Sequence, residues 1–225
     1  IGTIGDFAAF SFHEVKNITS FGEGGIMTTT IPGFAEELPR ARFLGLDFRS
    51  KIKDWLYNIS PIPGKYAPFV AGNYSTTEIQ GLGLTLQIAR NEEIIAVRRA
   101  AAEYLNSRFA ENPAIIPQDL GNADIKPTFH LYLLQIDPKL AGGNIQVLKE
   151  KLQERGVTNI PHFGPLYRFR VVEEMGYNPD EIAKTCPVCE EVFYNRFTHL
   201  PLYGLDQEQL EYMADAVLDC IKEMQ

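Results

Sequence analysis

Residues 7–30 can fold in few ways. Phe7, Ala9 and Ser11 alternate with Ala8, Phe10 and Phe12, the period-two pattern of a strand. Ile26-Met27-Thr28-Thr29-Thr30 is a second β-rich run of the kind that suits a pleated surface. Gly22, Gly24 and Gly25 lie between the two, where backbone conformations closed to other residues are open. The spacing predicts a hairpin that presents Lys16 at its tip, beside His13 and Ser11. Burial at such a tip would disfavour the ammonium, leaving free amine near neutral pH to act as a Schiff-base nucleophile. The same spacing fits a solvated turn lysine, and spacing alone does not choose between them.

The chain has 225 residues, enough for one large or two small domains. Twenty-one Lys and Arg against 29 Asp and Glu leave a net charge of −8, and an acidic chain without a basic tract makes a poor nucleic-acid binder. No apolar run approaches the roughly 18 residues that would suggest a membrane span, and no signal-peptide pattern opens the sequence. Cys186, Cys189 and Cys220 are an odd set, which argues against a disulfide framework and for a reducing, cytoplasmic setting. Cys186-Pro187-Val188-Cys189 has ligand spacing, but a structural zinc site needs four ligands and no second pair supplies them. No metal is expected. The glycines at 22, 24 and 25 lack both the spacing and the context of a dinucleotide fingerprint.

Further along, residues 33–38 open a helix that Pro39 limits, or that carries Pro39 within its first turn on the way to Leu44. Arg40 and Arg42 read as a solvated face. Residues 47–75 read as a long proline- and glycine-rich loop, with Trp55, Tyr57 and Tyr66 as interface anchors or as a seal on the loop's own core. Helices are expected over 76–89, with Ile79, Leu82, Leu86 and Ala89 as its apolar stripe, and over 92–111, with Arg90, Arg98, Arg99 and Arg108 facing solvent. The rest reads as a strand over 128–136, a helix from the Asn144 cap to Arg155 closed by Gly156, and a strand over 157–163. A helix over 180–195 interrupted at Pro187, an extended Leu200–Tyr203 and a last helix with an Asp206/Gln209 capping box complete it. That order suits helices layered on a sheet. His130 and His199 are read as core or interface histidines, and His162 as the better substrate contact.

Ser11-Phe12-His13-Glu14-Val15-Lys16-Asn17-Ile18-Thr19, followed by Gly22-Glu23-Gly24-Gly25, closely resembles the cofactor-lysine segment of the DegT/StrS family, pyridoxal-phosphate sugar aminotransferases of fold type I. Gly72-Asn73-Tyr74-Ser75 with Glu78-Ile79-Gln80 resembles the family's interface element, except that Ser75 stands where an arginine is common. Ile160–Tyr167 resembles its His-Tyr-x-Pro-Leu-His segment. The resemblance covers essentially the whole chain. It implies an α/β and α+β fold: the end of the large-domain sheet with the lysine hairpin and interface loop over 1–75, then a helical linker and small C-terminal domain over 76–225. Family members are longer, so the chain is read as the C-terminal part of such an enzyme.

The resemblance implies pyridoxal 5'-phosphate as cofactor, Lys16 as its covalent lysine, Ser11 as a phosphate donor and His13 as a cofactor neighbour. It implies a homodimer with a shared active site, in which Asn73 serves the other subunit's cofactor, and His162 and Tyr167 as substrate contacts. The activity implied is transfer of an amino group from glutamate or glutamine to a keto-sugar, commonly nucleotide-linked, in amino-sugar biosynthesis. Related sugar dehydratases typically carry histidine in place of the lysine, so Lys16 favours transamination. A non-catalytic or regulatory domain of the same fold is the other reading. The family's small or apolar residues near 186–189 favour two packed thiols there.

Overall fold

The computed structural model describes residues 1–46, 59–64, 68–159 and 164–225. Trp55, Tyr57, Tyr66 and His162, singled out above, lie outside them. The chain forms two compact units, Ile1–Glu92 and Glu93–Gln225.

In the first unit, β1 (Phe7–Ser11) and β2 (Gly25–Thr29) form the expected antiparallel hairpin, with Phe7 opposite Thr29 and Ser11 opposite Gly25. The hairpin is not buried. Ile26 and Met27 are each about half exposed, because a two-stranded ribbon has two faces and cannot bury both by itself. Phe34 of α1 (Pro32–Arg42) packs edge-on against Phe7 with ring centroids 5.1 Å apart. Pro32 takes the first helical position, where a missing N–H costs nothing. The helix also runs through Pro39 rather than stopping there. Pro39 sits in the last turn, so its missing donor removes one bond near an end. Arg40 is not a solvated residue: it pairs with Glu37 at 2.6 Å and donates to Ser60 Oγ at 2.8 Å and the Gly45 carbonyl at 3.3 Å.

Helix α2 (Glu78–Ala89) starts from a reciprocal capping box. The Thr77 N–H donates to Gln80 Oε1 at 2.8 Å and the Gln80 N–H to Thr77 Oγ1 at 3.3 Å. Its apolar stripe is exposed rather than core: Ile79, Leu82 and Leu86 keep 75, 65 and 59 % of their surface. The residue it buries is Gly83.

The second unit holds the core. Strands β3 (Ile115–Ile116), β4 (Tyr132–Ile136) and β5 (Phe197–Leu200) form an antiparallel sheet in the order β3-β4-β5. Along β4, Tyr132, Leu134 and Ile136 point inward, while Leu133 and Gln135 are exposed or partly so, as period two requires. The expected strand over 128–136 is shortened because Phe129 adopts φ +48°, which turns the chain before the sheet begins. Helices α3 (Asn91–Phe109), α5 (Ile145–Glu154) and α9 (Gln207–Met224) supply Leu105, Phe109, Leu148, Leu152, Val217 and Ile221 to the same core.

The caps of α5 and α9 are those the sequence predicts. Asn144 accepts from the N–H groups of Gln146 and Val147, and Gly156 follows at φ +70°. Asp206 and Gln209 cap each other. A four-residue helix, α4 (Pro138–Ala141), leads into α5. The expected 180–195 helix is broken into α7 (Pro179–Lys184), α8 (Pro187–Glu191) and a π-helical turn over Val192–Arg196, with α6 (Arg170–Glu174) ahead of them. Pro187 opens α8, as a proline at a first helical position can. Residues 157–159 are not strand, and 160–163 lie outside the described residues. Arg98 departs from the expected solvated face. It is 3 % exposed, donates to the His130 carbonyl at 2.8 Å and stacks 4.8 Å from the Tyr203 ring centroid. No described helix is long and apolar enough to cross a membrane, and no three metal-ligating side chains converge among the described residues.

Candidate functional site

The candidate site is the connection between β1 and β2. Its ends are closed by backbone bonds: the Phe12 N–H donates to the Gly24 carbonyl at 2.8 Å and the Ser20 N–H to the Phe12 carbonyl at 2.9 Å. Ser20 is 2 % exposed, and its Oγ lies 3.1 Å from the carbonyls of both Phe12 and Glu23. Gly24 is required beside it, since a Cβ there would overlap Ser20 Oγ.

Within that frame the structure brings together Ser11, His13 and Lys16. A tight turn runs from His13 to Lys16, whose N–H donates back to the His13 carbonyl at 2.9 Å. The His13 N–H donates to Ser11 Oγ at 3.3 Å, which occupies a lone pair of the hydroxyl and leaves its proton to give. The His13 ring is held at both nitrogens. Nδ1 accepts from the Val15 N–H at 3.3 Å, and Nε2 lies 3.4 Å from Glu23 Oε1. Glu23 is largely exposed, so the pair contributes orientation rather than more than ~1 kcal/mol of stability. The Lys16 side chain is exposed. The burial foreseen for this lysine is absent here because the ribbon beneath it is itself open.

Asn73 stands on a separate piece of backbone. It forms a bridge with Phe43, and its Oδ1 accepts from the Ser75 N–H at 3.0 Å. The Tyr74 N–H donates to the Arg42 carbonyl at 2.8 Å and Arg42 reaches Ser75 Oγ at 3.3 Å, so the segment is pinned along the end of α1. Tyr167 lies in the second unit, in a 3₁₀ turn over Leu166–Arg168. Its hydroxyl donates to Glu190 at 2.6 Å, and that bond pushes its phenol well above the ordinary range. Glu190, bonded by Tyr167 and Arg168, is held below the usual carboxylate range. Cys186 caps α8 and Cys189 is exposed, so the two thiols are not packed inside as expected.

A primary amine, a hydroxyl with a proton to donate and a fixed imidazole on one short loop fit an aldehyde-bearing aromatic phosphate such as pyridoxal phosphate. The amine can bond the aldehyde carbon, and the hydroxyl can donate to a phosphate oxygen. Ser20 and Glu23 lie in the stretch singled out from the sequence and Gln80 in the interface element, but no role in holding this loop was foreseen for any of them. The signal for Gln80 was present as Thr77-x-x-Gln80, a capping box that ends beside the loop.

Residues 1–218 match the DegT/DnrJ/EryC1/StrS aminotransferase family. The chain is 28% identical to GDP-perosamine synthase of Caulobacter vibrioides, over 96% of this chain and 54% of that protein. It is 27% identical to the L-glutamine:2-deoxy-scyllo-inosose aminotransferase of Streptoalloteichus tenebrarius, over 99% of this chain and 54% of that one. Its fold is similar to that of Helicobacter pylori PseC, an aminotransferase involved in the biosynthesis of pseudoaminic acid. The TM-score is 0.76 at 20% identity, covering 99% of this chain and 55% of that one. The chain thus spans about half the length of the curated relatives it matches.

Proposed function

The chain belongs to the DegT/DnrJ/EryC1/StrS aminotransferase family, and on that premise we propose that it is the lysine-bearing part of a pyridoxal-phosphate-dependent aminotransferase. The acceptor is a keto-sugar, in the manner of a nucleotide-linked one, and the donor is glutamate or glutamine. The observation that carries this reading is the single loop holding Ser11, His13 and Lys16, with the Lys16 side chain exposed. The names of the two relatives support an oxygenated ring as acceptor and glutamine as one donor.

Lys16 Nζ would hold the cofactor covalently and, once released by the donor's amine, would serve as the base that carries the proton off the donor's α-carbon. In the return half the same amine would deliver a proton to the sugar carbon that gains the amino group. Ser11 would donate a hydrogen bond from its hydroxyl to the phosphate. His13, engaged at both ring nitrogens, fixes the loop rather than carrying protons. The cofactor, when bound, would supply the electron sink for the bonding pair left at that carbon. Lys16 stands where dehydratases of this family carry histidine, which favours amino transfer over dehydration.

The test is a half-reaction. The cofactor-loaded protein, given L-glutamine or L-glutamate without sugar, is expected to release one equivalent of 2-oxo acid per Lys16, and a nucleotide keto-sugar is then expected to restart it. Cofactor retention with no oxo acid from either donor would point to a non-catalytic domain instead. Asn73 is assigned to the cofactor phosphate of the other subunit in a homodimer. Asn73→Ala is expected to weaken cofactor affinity about tenfold or more, the scale of a hydrogen bond to a charged group, with Lys16 still able to bond the cofactor. Unchanged affinity in an absorbance titration would remove that assignment.

A further inference from the structure

Helix α2 is clasped to the Lys16 loop at two points. Gln80 Nε2 donates to the Glu23 carbonyl at 2.8 Å. Gly83 lies against the Phe21 ring so closely that a Cβ at 83 would overlap it, and Phe21 is held at φ +61°. Gln80 is engaged at both ends of its amide: Oε1 takes the Thr77 N–H while one Nε2 N–H is given to the Glu23 carbonyl. The Glu23 carbonyl in turn accepts from Gln80 and lies in reach of Ser20 Oγ, and the side chain of that same residue meets His13 Nε2.

We propose that Gln80 is a positioning residue for Lys16. Its amide ties the helix cap to Glu23, Glu23 orients the His13 ring, and the His13 peptide unit sets both the Ser11 hydroxyl and the Lys16 turn. The amide is the residue's distinguishing feature. Glutamate serves a capping box equally well and is favoured near a helix N-terminus, but a carboxylate has no N–H for the Glu23 carbonyl. A residue present only to cap α2 could be either one; a residue that holds the loop must be the amide. The proposal rests on the reading of Lys16 as the cofactor lysine.

Gln80→Glu therefore separates the two roles. The full chain is compared with the variant by thermal melting, by hydrogen exchange at the Lys16 and Ser20 amides, and by the rate of pyridoxyl incorporation at Lys16 under borohydride. An unchanged melting midpoint is expected, with exchange about three- to tenfold faster and incorporation slowed by a similar factor, as loss of one hydrogen bond implies. Unchanged exchange at both amides would overturn the proposal. Gly83→Ala is the second variant: it raises helix propensity yet displaces Phe21. It is expected to loosen the same amides, so the test survives if Gln80→Glu fails to fold, and unchanged exchange in it would count against the clasp. Failure of the unaltered chain to take pyridoxyl at Lys16 would remove the reading of the lysine. The exchange data would still decide whether Gln80 holds the loop.

Discussion

Lys16→Ala is expected to lower amino transfer by at least ~10³-fold, because one amine is asked both to hold the cofactor covalently and to move the proton in each half-reaction. Lys16→Arg is expected to be equally inactive. Arginine keeps the positive charge, but its guanidinium stays protonated and is no nucleophile. Pairing the two variants separates a need for charge from a need for a free amine. Lys16 is exposed on its turn, so both variants are expected to melt within a degree or two of the unaltered chain. Residual turnover near the unaltered rate in either would remove Lys16 from the chemistry.

Phe109→Ala is expected to have the largest effect on stability. Phe109 is 1 % exposed at the end of α3 and meets Tyr132 edge-to-face, with centroids 5.9 Å apart. Truncating a buried phenylalanine costs about 3–5 kcal/mol through lost transfer energy and the cavity left behind. In a unit of this size that corresponds to a melting point lower by about 10–18 °C. The damage should spread to Tyr132, whose hydroxyl bonds Asn106 at 2.6 Å and whose phenol is pushed up to about 12 by burial. Phe109→Leu, which refills most of the space, should recover more than half of the loss. Calorimetry checks both, and a shift under 3 °C for Phe109→Ala would mean that the Phe109–Tyr132 contact is not central to the core.

The parts legible in the sequence were those set by short-range physics. The hairpin followed from period-two aromatics and glycines between two β-rich runs. The caps at Asn144 and Asp206 followed from side chains that satisfy open N–H groups. The loop that gathers Ser11, His13 and Lys16 was legible because its residues are contiguous. What failed depended on distant partners. Arg98 looked solvated beside Arg99, yet the carbonyl of His130, more than thirty positions away, draws it inward. Arg40 looked solvated for the same reason, and Ser60 and Gly45 claim it. Ile79, Leu82 and Leu86 have core spacing but remain exposed, because a periodic stripe says which residues share a face and not what covers it. Strand β4 was overrun at its start because no propensity signals that Phe129 turns left-handed. The ties of Ser20 and Gln80 to the loop were not legible because both run to a carbonyl at Glu23, and a carbonyl carries no sequence signature.

The most direct test of Lys16 as the cofactor lysine is chemical. The full chain is incubated with pyridoxal phosphate, reduced with borohydride, digested and mapped by mass. A single pyridoxyl adduct on Lys16 is the expected result. An unmodified Lys16, or label spread over the surface lysines, would contradict it.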